Sequence, residues 1–126
     1  MGVVLPLMFV RPAHAALHSR YFKMPSKNIG CAIFSGNLRC DILSGMKPSP
    51  KMQCDFDWTG LILSASGKAS PVCASDTVYK KKAKTLQYGS KWKRHGIVCK
   101  SRTTGLRCRN KKDNGFFLSR EEWNTY

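Results

Sequence analysis

The stretch Ile29-Gly30-Cys31-Ala32-Ile33-Phe34-Ser35-Gly36-Asn37-Leu38-Arg39-Cys40-Asp41-Ile42 decides the architecture, because its key residues recur later in the chain. Ile97, Cys99, Leu106 and Cys108 repeat Ile29, Cys31, Leu38 and Cys40 at the same spacings, and Arg39 and Arg107 each stand just before the second cysteine. A tight loop at Ser35-Gly36 in one copy, and at Thr103-Thr104 in the other, makes each a β-hairpin. Pairing outward from the loop then sets Cys31 opposite Cys40 and Cys99 opposite Cys108. Both pairs fall on non-hydrogen-bonded sites, where strands approach closely enough for a cross-strand disulfide. Alternation sorts the first hairpin into two faces. Ile29, Cys31, Ile33, Leu38, Cys40 and Ile42 form an apolar face toward the core, with Ala32, Phe34, Asn37, Arg39 and Asp41 opposite.

Working outward, Tyr21 to Met24 reads as a strand turned at Pro25-Ser26-Lys27-Asn28, and Ser44 to Lys51, with Gly45, Pro48 and Pro50, reads as a surface connection. A further hairpin runs from Leu61 to Ser64 and from Ala69 to Cys73 around Ser66-Gly67. Tyr88-Gly89-Ser90 turns into a strand carrying Trp92. Asn114-Gly115 is a two-residue turn signal ahead of Phe116-Phe117-Leu118. Ser119-Arg120-Glu121-Glu122 fits a capping box and predicts a closing helical turn containing Trp123. No long amphipathic helix is encoded. The expected fold is an all-β, disulfide-stapled antiparallel sandwich or barrel built from hairpins, with that short C-terminal helical turn.

The six cysteines are Cys31, Cys40, Cys54, Cys73, Cys99 and Cys108, with no CxxC and no histidine pair near them, which disfavours zinc. Six cysteines allow 15 connectivities. Hairpin geometry selects 31 with 40 and 99 with 108, and elimination leaves 54 with 73. A disulfide framework predicts an oxidising compartment. Residues 1–15 supply a route there: an apolar run from Val3 to Val10, then Arg11-Pro12, then the small-x-small Ala13-His14-Ala15. The run is too short for a bilayer span, so residues 1–15 read as a trimmed signal peptide and 16–126 as a single β domain, secreted or periplasmic. The charged stretch that should precede the run is missing, so the natural start of translation is expected upstream of Met1. At 126 residues and 42% hydrophobic content the chain builds one modest core.

Several motifs together resemble a known family. They are Met24-Pro25-Ser26-x-Asn28-Ile29-x-Cys31, Arg39-Cys40-Asp41-Ile42, Cys73-x-x-Asp76-Thr77, Tyr88-Gly89-x-x-Trp92, Gly105-Leu106-Arg107-Cys108 and Gly115-Phe116-Phe117-Leu118-Ser119-Arg120. They look like a family of small exported bacterial proteins classed as a domain of unknown function, over about residues 22 to 120. The resemblance implies an exported bacterial protein with paired cysteines and brings no activity with it. Where that family often has His-Gly-Phe, this chain has Asn114-Gly115-Phe116, so histidine chemistry at that turn is not expected.

Charge is the best functional clue. The formal net charge is +15, and from Lys80 to Lys112 there are 13 lysines and arginines with no acid, against seven basic and four acidic residues from Ala16 to Tyr79. Inward-facing Ile97, Cys99, Leu106 and Cys108 send Lys100, Arg102, Arg107 and Arg109 to the opposite face, with Lys91, Lys93, Arg94 and Lys111 close in sequence. A rigid hairpin presenting these cations is an anion-binding surface. The leading reading is a non-enzymatic binder of an anionic envelope or extracellular polymer or membrane surface, without cofactor or metal. The bland alternative is a solvated charged face. An enzymatic alternative is a secreted ribonuclease-like hydrolase using His95, a carboxylate and Arg102 or Arg107; no spacing brings those groups together. A protein-inhibitor or interaction module is the third class. Asp55 and Asp57 lack further oxygen ligands at calcium-loop spacing and read as turn or solvent-facing residues. Trp58, Trp92 and Trp123 read as core or rim packing.

Overall fold

The structure, a computed structural model, describes Gly2 and residues 15–126. The expected signal peptide therefore lies, apart from Gly2 and Ala15, outside the described residues. Eleven strands are present among the described residues: β1 (Tyr21–Lys23), β2 (Ile29–Phe34), β3 (Asn37–Ile42), β4 (Asp57–Ser64), β5 (Ser70–Ala74), β6 (Lys84–Thr85), β7 (Lys91–Arg94), β8 (Ile97–Arg102), β9 (Gly105–Arg109), β10 (Gly115–Leu118) and β11 (Trp123–Thr125). They form a six-stranded sheet in the order β5-β4-β3-β2-β1-β6 and a five-stranded sheet in the order β11-β10-β9-β8-β7. The inner faces of the two sheets share one core, in which the rings of Phe22 and Trp92 lie 5.1 Å apart.

Both cysteine hairpins have the register that alternation requires. Cys31 pairs with Cys40 and Cys99 with Cys108, with Cα–Cα distances of 4.1 and 4.0 Å, and each pair is disulfide-bonded. The third disulfide joins Cys54 to Cys73 and fastens the chain entering β4 to β5.

The repeat extends well beyond the hairpins. Phe22 of β1 pairs with Cys31 as Trp92 of β7 pairs with Cys99. On the other side, Gly60, Leu61 and Leu63 of β4 face Asp41, Cys40 and Leu38 as Gly115, Phe116 and Leu118 of β10 face Arg109, Cys108 and Leu106. β1–β4 and β7–β10 are thus two copies of one four-stranded meander. The glycines recur for a steric reason: a Cβ on Gly60 would strike the Cys40 carbonyl, and one on Gly115 the Cys108 carbonyl. The disulfide-bonded strand and its neighbour pack too closely for any side chain there.

Three expectations are corrected. No helix occurs among the described residues, and the expected C-terminal helical turn is instead a hairpin. Ser119 does behave like a cap, since its hydroxyl accepts from the Glu122 amide at 3.1 Å. But the Ser119 amide donates to the Glu122 carbonyl at 2.9 Å, closing a turn that sends Trp123–Thr125 back along β10. The capping signature describes only local hydrogen bonds, and here the edge of β10 offered the following residues a ladder that a single helical turn could not match. Second, the fold is not wholly antiparallel, because β6 adds to β1 in parallel. Third, Asn114-Gly115 is not a two-residue turn: the loop runs from Asn110 to Asn114, Asp113 takes the positive φ of 61°, and Gly115 lies within β10.

Candidate anion-binding face

The two meanders have equivalent outer faces with different fates. On the six-stranded sheet, the chain leaving β5 crosses the outside and rejoins the far edge as β6. This strap is anchored on the β3 pair Arg39 and Asp41. Asp41, 1% exposed, accepts hydrogen bonds from Thr77 Oγ1 and the Val78 amide, both at 2.9 Å. Arg39 donates to Asp41 Oδ1 and Oδ2 at 3.0 and 3.1 Å, to the Asp76 carbonyl at 2.9 Å and to Asp76 Oδ1 at 3.2 Å. Burial works against the Arg39 charge, but its hydrogen bonds and attraction to Asp41, then to Asp76, outweigh it and hold the guanidinium above its ordinary pKa. Tyr79 sits directly on Gly30, where any side chain would collide with it.

No such strap covers the five-stranded sheet among the described residues, and there the same positions carry cations. The register aligns Lys91, Lys100 and Arg107 in one row across β7, β8 and β9, continuing to Phe117 and Asn124 on β10 and β11. Neighbouring strands lie about 4.8 Å apart, so three positive residues stand side by side at that spacing. Lys93 and Arg109 flank Val98 in the next row, and Arg102 stands at the end of β8. The crowding is visible in Lys100: repulsion from Lys91 first, then desolvation, then Arg109 and Arg102, pushes its ammonium below the usual lysine value. The only ion pair on this face among the described residues is Arg109 with Asp113 at 3.7 Å, an exposed contact of little energetic weight.

Arg107 is held in place. Its guanidinium lies 5.3 Å from the centroid of Phe117 and 5.4 Å from that of Tyr126, so the two rings form a cation–π support for a charge that is itself exposed. Sequence reasoning missed both rings. Phe117 was legible from the alternation of β10, but Tyr126 could be placed only once β11 was known to be a strand.

The structure thus brings Lys91, Lys93, Lys100, Arg102, Arg107 and Arg109 onto one surface. Arg94 departs from it, donating to the His18 carbonyl at 3.3 Å, while the Lys111 stem lies beside Gly96 at the hairpin end of the sheet. His95 occupies the exposed turn between β7 and β8 with φ of 51°, followed by Gly96 at 77°; no described carboxylate forms an ion pair with it. Asp55 and Asp57 are exposed, and no cluster of three metal-ligating side chains exists among the described residues. A cleft of 620 Å³ borders the strapped sheet and is lined by Trp58, Asp57, Asp76 and Asp41, among other residues, the last two already engaged by Arg39. Trp92 is fully buried, its indole donating to the Ser19 carbonyl at 2.7 Å; Trp58 and Trp123 pack against the edge of the core. No described helix is long and apolar enough to cross a membrane.

No curated protein and no solved structure matches this chain. The arrangement described above, three disulfides holding an all-β fold, instead characterises a chain that matches a family of unknown function (DUF6636) over residues 3–125, and the protein belongs to that family.

Proposed function

We propose that this is an exported, non-enzymatic binder of an anionic envelope or extracellular polymer, which it engages through the outer face of the five-stranded sheet. The observation that carries this reading is the row Lys91–Lys100–Arg107 with Arg109 and Arg102 beside it, crowded enough that repulsion, from Lys91 above all, depresses Lys100. Folding alone gains nothing from that crowding; a polyanion lying across the strands would relieve it. The Cys99–Cys108 disulfide holds β8 against β9, so the backbone that carries the cations is ordered before binding and loses little entropy on contact.

The test is a binding panel of lipopolysaccharide, anionic vesicles, acidic glycans, DNA and RNA at two salt concentrations. If four contacts are made to phosphates of duplex DNA, affinity should fall roughly a hundredfold between about 50 and 200 mM salt. Lys100→Ala/Arg102→Ala/Arg107→Ala/Arg109→Ala should fold normally and lose most of this salt-dependent binding. Binding to none of the polymers would leave a merely solvated face. RNA degradation abolished by His95→Ala, read in the same wells, would replace this reading with a nuclease.

A second expectation concerns protons. Because Lys100 is depressed by its neighbours, a bound polyanion should raise its pKa toward the ordinary value, so binding takes up protons in alkaline buffer and affinity falls as pH rises through that range. Titration of the Lys100 side chain by NMR, free and bound, measures this. An unchanged titration on binding would place the ligand elsewhere.

A further inference from the structure

Four turns from both sheets meet beyond the tip of the β8–β9 hairpin. They are the turn between β1 and β2, the loop at Tyr88, the tip Thr103-Thr104, and the turn between β10 and β11; between them lies a cleft of 130 Å³. That is room for about four water-sized groups, enough for one tetrahedral oxyanion.

The walls are locked from behind. Asn28, 8% exposed, donates from Nδ2 to Ser44 Oγ and accepts from the Ser44 amide, both at 2.9 Å. The buried Ser101 hydroxyl donates to Met24 Sδ at 3.1 Å, and the Ser119 hydroxyl is tied on both sides to Glu122. The groups facing the opening are free by contrast. Arg102 and Arg120 are exposed, and neither makes an ion pair or a side-chain hydrogen bond among the described residues. The hydroxyls of Thr103, Thr104 and Tyr88 likewise have no partner there, and Ser26 Oγ accepts from the Asn28 amide, leaving its own proton to donate. Against these donors stands one carboxylate, Glu121.

We propose that this cleft seats a single tetrahedral oxyanion, a phosphate or sulfate group, gripped by the guanidinium forks of Arg102 and Arg120 and by the tip hydroxyls. Guanidinium forks match such oxygens in pairs, and unpartnered hydroxyls complete the donor set. The polymer-binding reading does not carry this site, and either can fail while the other stands; Arg120 lies outside the basic face and serves to separate them.

The experiment follows backbone amides of the full chain by NMR during titration with inorganic phosphate, sulfate and glycerol phosphate, with chloride at equal ionic strength as reference. Saturating shifts should concentrate at Ser26, Thr103, Thr104 and Glu121. Arg120→Ala should weaken binding roughly tenfold or more, because it removes a charge-assisted contact. Glu121→Gln should tighten it, since the rim carboxylate repels the ligand, while Lys68→Ala, an equal loss of charge at a distant exposed site, should change it little. Glycerol phosphate binding more tightly than the free ions would identify an ester as the ligand; equal binding would identify the bare oxyanion. Shifts that never saturate, or saturating shifts that survive Arg120→Ala unchanged, would overturn the proposal.

Discussion

Reduction of all three disulfides is expected to unfold the domain at 37 °C. Loops closed over sequence separations of 9, 19 and 9 residues each contribute about 3 kcal/mol by restricting the unfolded chain. Together that is about 9 kcal/mol, comparable to the whole stability of a small domain. The bonds should not open together. Cys31, Cys40, Cys99 and Cys108 are at most 1% exposed, whereas Cys73 is exposed and Cys54 half-buried. Attack by a thiolate needs access, so mild reductant should open Cys54–Cys73 first and leave a folded protein with two free thiols. Stepwise reduction, alkylation and mass mapping, read beside circular dichroism, would show this order. A fully reduced chain that kept its fold, or labelling that began at Cys99, would contradict the account.

Arg39→Met is expected to destabilise the protein by about 3–5 kcal/mol in urea unfolding, because it strands the Asp41 carboxylate, 1% exposed, without its charged partner. The equivalent substitution on the other meander, Arg107→Met, should cost no more than about 1 kcal/mol, since it removes only an exposed cation–π contact. Arg39→Met/Asp41→Leu should recover part of the loss but not all of it: the Val78 amide and Thr77 hydroxyl of the strap would still lack their acceptor. Equal costs for Arg39→Met and Arg107→Met would mean that the strap contributes nothing to the fold.

That contrast also marks how far a reader of the sequence could go. Arg39 and Arg107 occupy matching places before matching cysteines, and alternation sends both outward; the local difference lies two residues on, where Asp41 stands in the first hairpin and Arg109 in the second. What separates them is a segment more than thirty residues after Arg39, which crosses one sheet and not the other. Asp41, which accepts the strap's hydrogen bonds where the second hairpin has Arg109, and Gly30, which makes room for Tyr79 where the second has Val98, are traces of that difference in the hairpins themselves. The helical turn at Ser119 failed for a related reason: its hydrogen-bonding signature was real, but the adjacent edge of β10 determined what the following residues paired with.

The hairpins, their cysteine partners, the inward apolar faces and the concentration of cations in the second half were determined by the sequence by itself. These follow from the two-residue period of a strand and from turns that span a few positions, interactions short enough to be written locally. Tertiary structure alone decided that the chain contains two four-stranded meanders, that one outer face is strapped and the other left open, that Phe117 and Tyr126 support Arg107, and that Arg102 meets Arg120 across a cleft. Each of these joins residues from separate turns or strands, and such contacts depend on which sheet edge or face remains free once the local elements have formed.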